Sequence, residues 1–240
     1  MRCLSLALIL LSLGTNAEER PLRFSVSESW AMPMMRIEHG QATGGILFDL
    51  QQRLAEKVGR RAELLVRPRL RIEQMLVRGE IDVRCYVNPA WLSESHHQYI
   101  WSVPFMVQRD LLVGRDKQQL HLSQLQGETI GTVLGFAYPK LAPLFTSGHL
   151  RREDARTQEP ALDKLNAKRY DYAISNELTL QWFNRQQPAG HKLQPLEEVA
   201  ADLVACIVRD EPDVPTMPLL RALVQMKQAG EFETILARYR

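Results

Sequence analysis

The side chains best suited to binding chemistry stand at or just after the ends of segments in which apolar and polar residues alternate. Such alternation predicts β-strands, and ligands of open α/β sheets bind beyond the carboxyl ends of strands. Aromatic rings supply apolar walls there, and amides supply neutral hydrogen bonds. The set suits a small polar ligand with ring or acyl character, with ordinary packing as the alternative role of the aromatic residues. Its members are Glu28, Trp30, Tyr86, Asn88, Phe136 and Asn176.

Two arginines bring positive charge to the start of a predicted helix. Arg69 and Arg71 precede Ile72, Met75 and Leu76, whose spacing predicts a short helix that ends at Gly79. A guanidinium beside a helix N-terminus suits an anionic group. The alternative interpretation is a pair of solvated surface arginines.

Several other kinds of site lack their signatures. The adjacent His96 and His97 would point about 100° apart on a helix, and no histidine pair has zincin spacing, so we expect no metal. Neither a phosphate-binding loop nor a G-x-S-x-G motif occurs, and we expect no cofactor. With 30 basic and 28 acidic residues, the charge balance gives no reason to expect a nucleic-acid partner.

The first seventeen residues resemble a cleavable export signal. Arg2 provides the positive start, Leu4 to Leu13 form a short apolar run, and Ala17 ends a cleavage site of small residues. The run is too short to cross a bilayer, and no later segment is long and apolar enough. We therefore expect a periplasmic protein without stable membrane insertion. An N-terminal helix of the fold is the alternative.

Periodicity predicts two similar α/β units. In the first, strands at 22–26, 62–66 and 81–87 alternate with two helices, an order that implies a parallel, right-handed arrangement. The second has strands at 128–133 and 170–175 with helices after each. Residues 136–150 have no clear pattern, and a strand at 203–208 precedes a helical tail.

Six short segments, in the right order, resemble the extracellular solute-binding proteins of family 3, the polar amino-acid binding group. They include the glycine-to-aspartate-leucine segment that opens the first helix, an L-x-x-G-x-x-D join and its second-lobe counterpart. The resemblance covers nearly all of the chain after the signal. The segments are GGILFDL (44–50), LVRGEID (76–82), WSVPF (101–105), LSQLQG (122–127), KRYDYAI (168–174) and QAGEF (228–232).

This resemblance implies a two-lobed α/β architecture, the type 2 periplasmic binding protein fold. Each lobe would hold a mixed, mostly parallel sheet flanked by helices, and two hinge crossovers would join the lobes. Lobe one would comprise 22–112 plus 198–240, and lobe two 113–197. The protein would be a monomer that captures a small polar solute and delivers it to the permease of an ABC transporter. The topology also sets strands 81–87 and 203–208 side by side.

That pairing makes a disulfide between Cys85 and Cys206 possible, since both cysteines would follow the signal into an oxidising compartment. The alternative is two buried cysteines that never meet.

The sequence departs from the family where a zwitterion would be recognised. The family holds the carboxylate with an arginine after the third strand, and the segment 92–95 has none. It holds the ammonium group with an aspartate where this chain has Asn176, and has Ser or Thr where this chain has Phe136. The resemblance also puts Trp30 over the ligand and Arg69 and Arg71 at the rim of the site. We therefore expect atypical specificity for a compound other than a standard amino acid.

Two other functions fit the same fold. One is a periplasmic enzyme of the cyclohexadienyl dehydratase type, which needs a general acid in the cleft; Glu28 and Glu177 are its candidates. The other is a binding module that signals to a membrane receptor. Neither has a distinctive motif here, so we expect a binding protein and not an enzyme.

Overall fold

The computed structural model describes residues 19–92, 97–117 and 120–240, and the predicted export signal lies outside them. Within these ranges the chain forms eleven β-strands and seven α-helices. No helix there has the length and apolar character needed to cross a membrane. The strands are β1 (Leu22–Ser27), β2 (Arg36–Glu38), β3 (Gln41–Gly44), β4 (Ala62–Arg67), β5 (Val83–Val87), β6 (Tyr99–Trp101), β7 (Met106–Gly114), β8 (Thr129–Val133), β9 (Arg151–Ala155), β10 (Tyr172–Asn176) and β11 (Gln194–Arg209). The helices are α1 (Ile46–Lys57), α2 (Arg69–Val77), α3 (Ala142–Thr146), α4 (Gln158–Asn166), α5 (Glu177–Arg185), α6 (Thr216–Gln228) and α7 (Glu231–Ala237).

The first lobe is built on the parallel strands β4, β1 and β5, as the alternating pattern predicts. Alternate residues of β1, such as Phe24 and Val26, are fully buried. Leu50 and Leu54 lie one turn apart on α1 and pack on the same core, as does Leu223 of α6. Period-two strands and period-3.6 helices therefore bury one continuous apolar cluster.

The second lobe repeats this plan with β10, β8 and β9 in parallel order. Ile130 and Ile174 are buried in its core together with Leu112 of β7. Strand β9 was not expected from the sequence. Its residues, RREDA, are mostly exposed at the sheet edge, so the strand has no alternating apolar signal. Helix α3 likewise falls in the segment without a clear pattern.

Two long antiparallel strands, β7 and β11, join the lobes. Gln194 to Val204 of β11 pairs with β7, and Ala205 to Val208 pairs with β5 of the first lobe. Only the last third of β11 has an apolar pattern, which is why the sequence predicts a strand at 203–208 alone. These strands provide the two crossovers of a hinged, two-lobed fold.

Strands β5 and β11 are also joined covalently. A disulfide connects Cys85 with Cys206, which are register partners across the two strands. The bond closes a sequence separation of 121 residues.

The first lobe contains a buried aspartate with three arginine partners. Asp82 has no exposed surface and pairs with Arg20, Arg23 and Arg209 at 2.6, 2.9 and 3.0 Å. These arginines come from the N-terminal segment, β1 and β11, so one carboxylate ties together three distant parts of the chain.

Candidate functional site

The two lobes face each other across a cleft that is nearly closed. The cavity in it has a volume of about 20 Å³, and a water molecule needs roughly 10–15 Å³. A larger ligand therefore requires the lobes to open or the lining side chains to move. Ser29, Trp30, Ala31, Met34 and Tyr86 line it from the first lobe, Phe136, Gln158, Asn176 and Thr179 from the second, and Gln108 from β7.

Aromatic rings form the wall on the first lobe. Trp30 follows the turn after β1 and is 9% exposed, and its ring meets that of Tyr86 edge to face with centroids 6.2 Å apart. Tyr86 stands near the end of β5 with a φ of 62°, in the left-handed region that side chains seldom adopt. Burial raises the pKa of the Tyr86 hydroxyl well above its usual range, so that hydroxyl stays protonated.

Asn176 forms the facing wall and links the two lobes. Its Oδ1 caps helix α5 by accepting hydrogen bonds from the backbone N–H groups of Leu178 (2.9 Å) and Thr179 (3.4 Å). Because the oxygen is held by the helix, the Nδ2 group points across the cleft and donates to Tyr86 Oη at 2.9 Å. The Asn176 amide thus caps a helix of the second lobe and also holds the two lobes together.

A second contact between the lobes involves a ring and a cation. Gly135, at a φ of 75°, turns the chain after β8, and Phe136 follows it. The guanidinium of Arg69 lies 5.3 Å from the centroid of the Phe136 ring, within the range of a cation–π interaction. Burial, and to a smaller extent the positive charge of Arg84, lowers the pKa of Arg69 to about 10. Arg69 therefore remains positive at neutral pH.

Four of the residues predicted from the sequence do not line the cavity: Glu28, Arg69, Arg71 and Asn88. Arg69 instead contacts the ring of Phe136, which does line it. Glu28 and Arg71 are exposed. Asn88 caps the turn at 89–91 by accepting from Ala90 N, and its amide donates to Leu203 O at 2.9 Å. Trp30, Tyr86, Phe136 and Asn176 do line the cavity. The segment 93–95, where the family arginine is missing, lies outside the described residues.

Sequence reasoning missed Gln108, Gln158 and Thr179, which line the cavity, and Asp110, which is hydrogen-bonded to Gln108. Gln158 begins α4 and accepts from the backbone N–H of Asn176 at 3.3 Å. Asp110 is 8% exposed and accepts a hydrogen bond from Gln108 Nε2 at 2.9 Å. Burial raises the pKa of Asp110 to about 6. The available signal was the polar triplet 108–110 ahead of the apolar run that completes β7.

Known proteins resemble this chain in structure. No protein-family model and no curated protein sequence matches it. An ancestral arginine-binding protein bound to arginine superposes with a TM-score of 0.75 at 19% identity, over 92% of this chain and 99% of the other. A histidine kinase sensor domain with similarity to periplasmic binding proteins gives 0.73 at 20% identity, over 92% and 96%. An ancestral amino acid-binding protein, a precursor of cyclohexadienyl dehydratase, gives 0.73 at 16% identity, over 91% and 95%.

At this level of identity, structural similarity concerns the fold and not the ligand. It spans both lobes in each comparison, and the fold class expected from the sequence is confirmed. The chain has the two-lobed α/β fold of periplasmic binding proteins.

Proposed function

We propose that this protein is a periplasmic solute-binding protein that captures a small polar molecule between its lobes. The supporting observation is that residues from both lobes meet in the cleft, through the hydrogen bond of Asn176 to Tyr86 and the stacking of Arg69 on Phe136. Structural neighbours described as bound to arginine or glutamine agree with a small polar ligand.

Binding would exchange these contacts for contacts with the ligand. In the open form, the ring of Trp30 and the amide of Asn176 become available, and the ligand then bridges the two walls. A ligand that contacts both lobes binds the closed form better than the open form and shifts the population toward it. Bending would occur at the two crossing strands, with 22–112 plus 198–240 moving against 113–197.

The specificity we propose is atypical for the polar amino-acid binders. Where those binders have an aspartate for the ammonium group, this chain has Asn176, a neutral amide that caps a helix. Where they have Ser or Thr, it has the aromatic ring of Phe136. The protein would be exported by its N-terminal signal, act as a monomer without cofactor or metal, and present its closed form to the permease of an ABC transporter.

Binding is favoured over catalysis by the positions of the two glutamates considered as general acids. Glu28 is exposed and outside the cavity lining. Glu177 is half-exposed, lies 3.8 Å from Arg109 and is also outside the cavity lining.

A thermal-shift screen of the purified protein tests this function. The compounds should include amino acids, organic and aromatic acids, polyamines and sugars. A compound at 100 times its dissociation constant adds about 2.7 kcal/mol, a shift of several degrees for a chain of this size. We expect Trp30→Ala to lose the shift, and the milder Trp30→Phe to reduce it.

Trp182→Ala is the control, because Trp182 is a partly buried tryptophan that does not line the cavity and contacts Arg185 on the surface of α5. It should keep the full shift. An equal shift in Trp30→Ala, or the absence of any stabilising compound, would contradict the proposal.

A further inference from the structure

Asp110 faces the hinge end of the cleft. Its register partner on the neighbouring strand is Asn176, and directly paired residues project to the same face of a sheet. Asn176 reaches Tyr86 across the cleft, which identifies that face as the cleft side. Gln108, two residues earlier on β7, shares the face and lines the cavity. Arg109, between them, projects to the other side and pairs with Glu198.

The carboxylate of Asp110 has no cationic partner in the described ranges of the chain. Among the described residues no lysine, arginine or histidine forms an ion pair with it, and Gln108 is its only side-chain hydrogen-bond partner. The titratable groups around it are Asp202 of β11, Tyr86 of β5 and Tyr138 after β8, none of which carries positive charge. A buried carboxylate is costly unless it is paired.

We propose that Asp110 binds a protonated amine of the ligand, so that the solute is a small cationic molecule with an apolar or ring portion. This proposal rests on the proposed solute-binding function. The ammonium group would take the place of the Gln108 amide on the carboxylate, while the apolar portion lies between Trp30 and Phe136. Asn176 is neutral, so the negative charge at this end of the cleft is that of Asp110, assisted by Asp202 nearby.

Charge specificity is tested with three probes that share one ring: phenethylamine, 3-phenylpropionate and 2-phenylethanol, with putrescine and arginine as further amines. Binding is measured by titration calorimetry at pH 7.5. We expect at least one amine to bind, and Asp110→Asn to weaken it at least tenfold. Asp163→Asn, at an exposed site on α4, should change the affinity less than twofold. Asp110→Ser serves as a second variant, and circular dichroism confirms that each variant is folded.

The pH dependence separates charge recognition from shape. Affinity of the wild-type protein for the amine should fall between pH 7.5 and 5 as Asp110 takes up a proton, and Asp110→Asn should show no such fall. An amine that binds both variants of Asp110 as tightly as wild type overturns the proposal.

If the acid or the alcohol binds and requires Trp30 while no amine does, the cation proposal fails and the solute-binding function stands. If no compound of either screen binds, both fail. Chemical conversion of a bound probe that is lost in Asp110→Asn would also overturn the assignment, because Asp110 would then take part in a reaction.

Discussion

Two buried aspartates of this protein have opposite surroundings. Asp82, just before β5, has no exposed surface and pairs with three arginines. Burial alone raises its pKa, but hydrogen bonds from Arg23 and Arg20 outweigh burial and hold the pKa of Asp82 well below its usual range. Asp110 is almost as deeply buried, and within the described part of the chain its one side-chain partner is the amide of Gln108. Burial raises its pKa to about 6.

Asp82 thus has cationic partners that stabilise the fold, whereas Asp110 has no ion pair with a described residue. Every oxygen of Asp82 is used within the first lobe, so its charge is already compensated without a ligand. No described residue forms an ion pair with Asp110, which stands where the lobes meet. Residues kept at the expense of stability are often functional.

The largest effect is expected at Asp82. Replacing Asp82 by Asn keeps the shape but leaves three buried or half-buried guanidinium groups without their anion, which typically costs about 3–5 kcal/mol. Because the folded pKa is depressed, this contribution is present above the unfolded pKa near 4 and declines as pH falls below it. Denaturant unfolding at pH 7.5 and pH 3 measures both, with Asp163→Asn as the control. A loss below about 1 kcal/mol would show that the cluster is solvated.

Asp110→Asn is expected to change stability in the opposite direction. The folded pKa is near 6 and the unfolded pKa near 4, so the folded protein holds more protons in this interval and loses stability as pH rises through it. Asn removes that cost. The variant should be about 1–3 kcal/mol more stable than wild type at pH 7.5, at 1.4 kcal/mol per pKa unit, and equal to it at pH 4. Lower stability at pH 7.5 would mean that the carboxylate has a cationic partner.

The sequence predicts the fold better than it predicts this contrast. Alternation and helical spacing predict the parallel strands and the helices packed on them, because burial on one face leaves a periodic trace. Strand β9 and the first part of β11 leave no such trace, since their side chains are mostly exposed or polar. Asp82 belongs to an L-x-x-G-x-x-D segment, so its structural role has a local signature.

Some residues of the candidate site could likewise be predicted from the sequence, and others could not. Trp30, Tyr86, Phe136 and Asn176 stand at or just after strand ends, where ligands of open α/β sheets bind. The same rule also selects Glu28 and Asn88, which do not line the cavity. Asp110 and Gln108 lie inside β7, and their position depends on the register of β7 against β10, sixty-odd residues away in sequence. Periodicity gives no information on such long-range register, so the buried acid was not predicted.

Substitutions of Asn176 can separate its two interactions, the cap of α5 and the hydrogen bond to Tyr86. Asn176→Ala loses the cap of α5 and the bond to Tyr86. We expect a cost of about 1 kcal/mol for the lost N-cap and a further cost of about 0.5–1.5 kcal/mol for the lost hydrogen bond. Asn176→Ser can still cap the helix but is too short to donate across the cleft. Denaturant unfolding should therefore separate the two variants, and equal losses would indicate that the cap contributes little.

The smallest effect is expected from Tyr86→Phe, which removes the acceptor of the Asn176 amide and keeps the ring. A single hydrogen bond of this kind contributes about 0.5–1.5 kcal/mol. Because the bond joins the lobes, its loss should appear first as opening of the cleft, measured by an increase in the radius of gyration in small-angle scattering. In Asn176→Ser the same substitution should have no further effect on opening, since the bond is already absent. If Tyr86→Phe leaves the scattering unchanged, the lobes are held by the contact between Arg69 and Phe136, and Arg69→Gln should then open them.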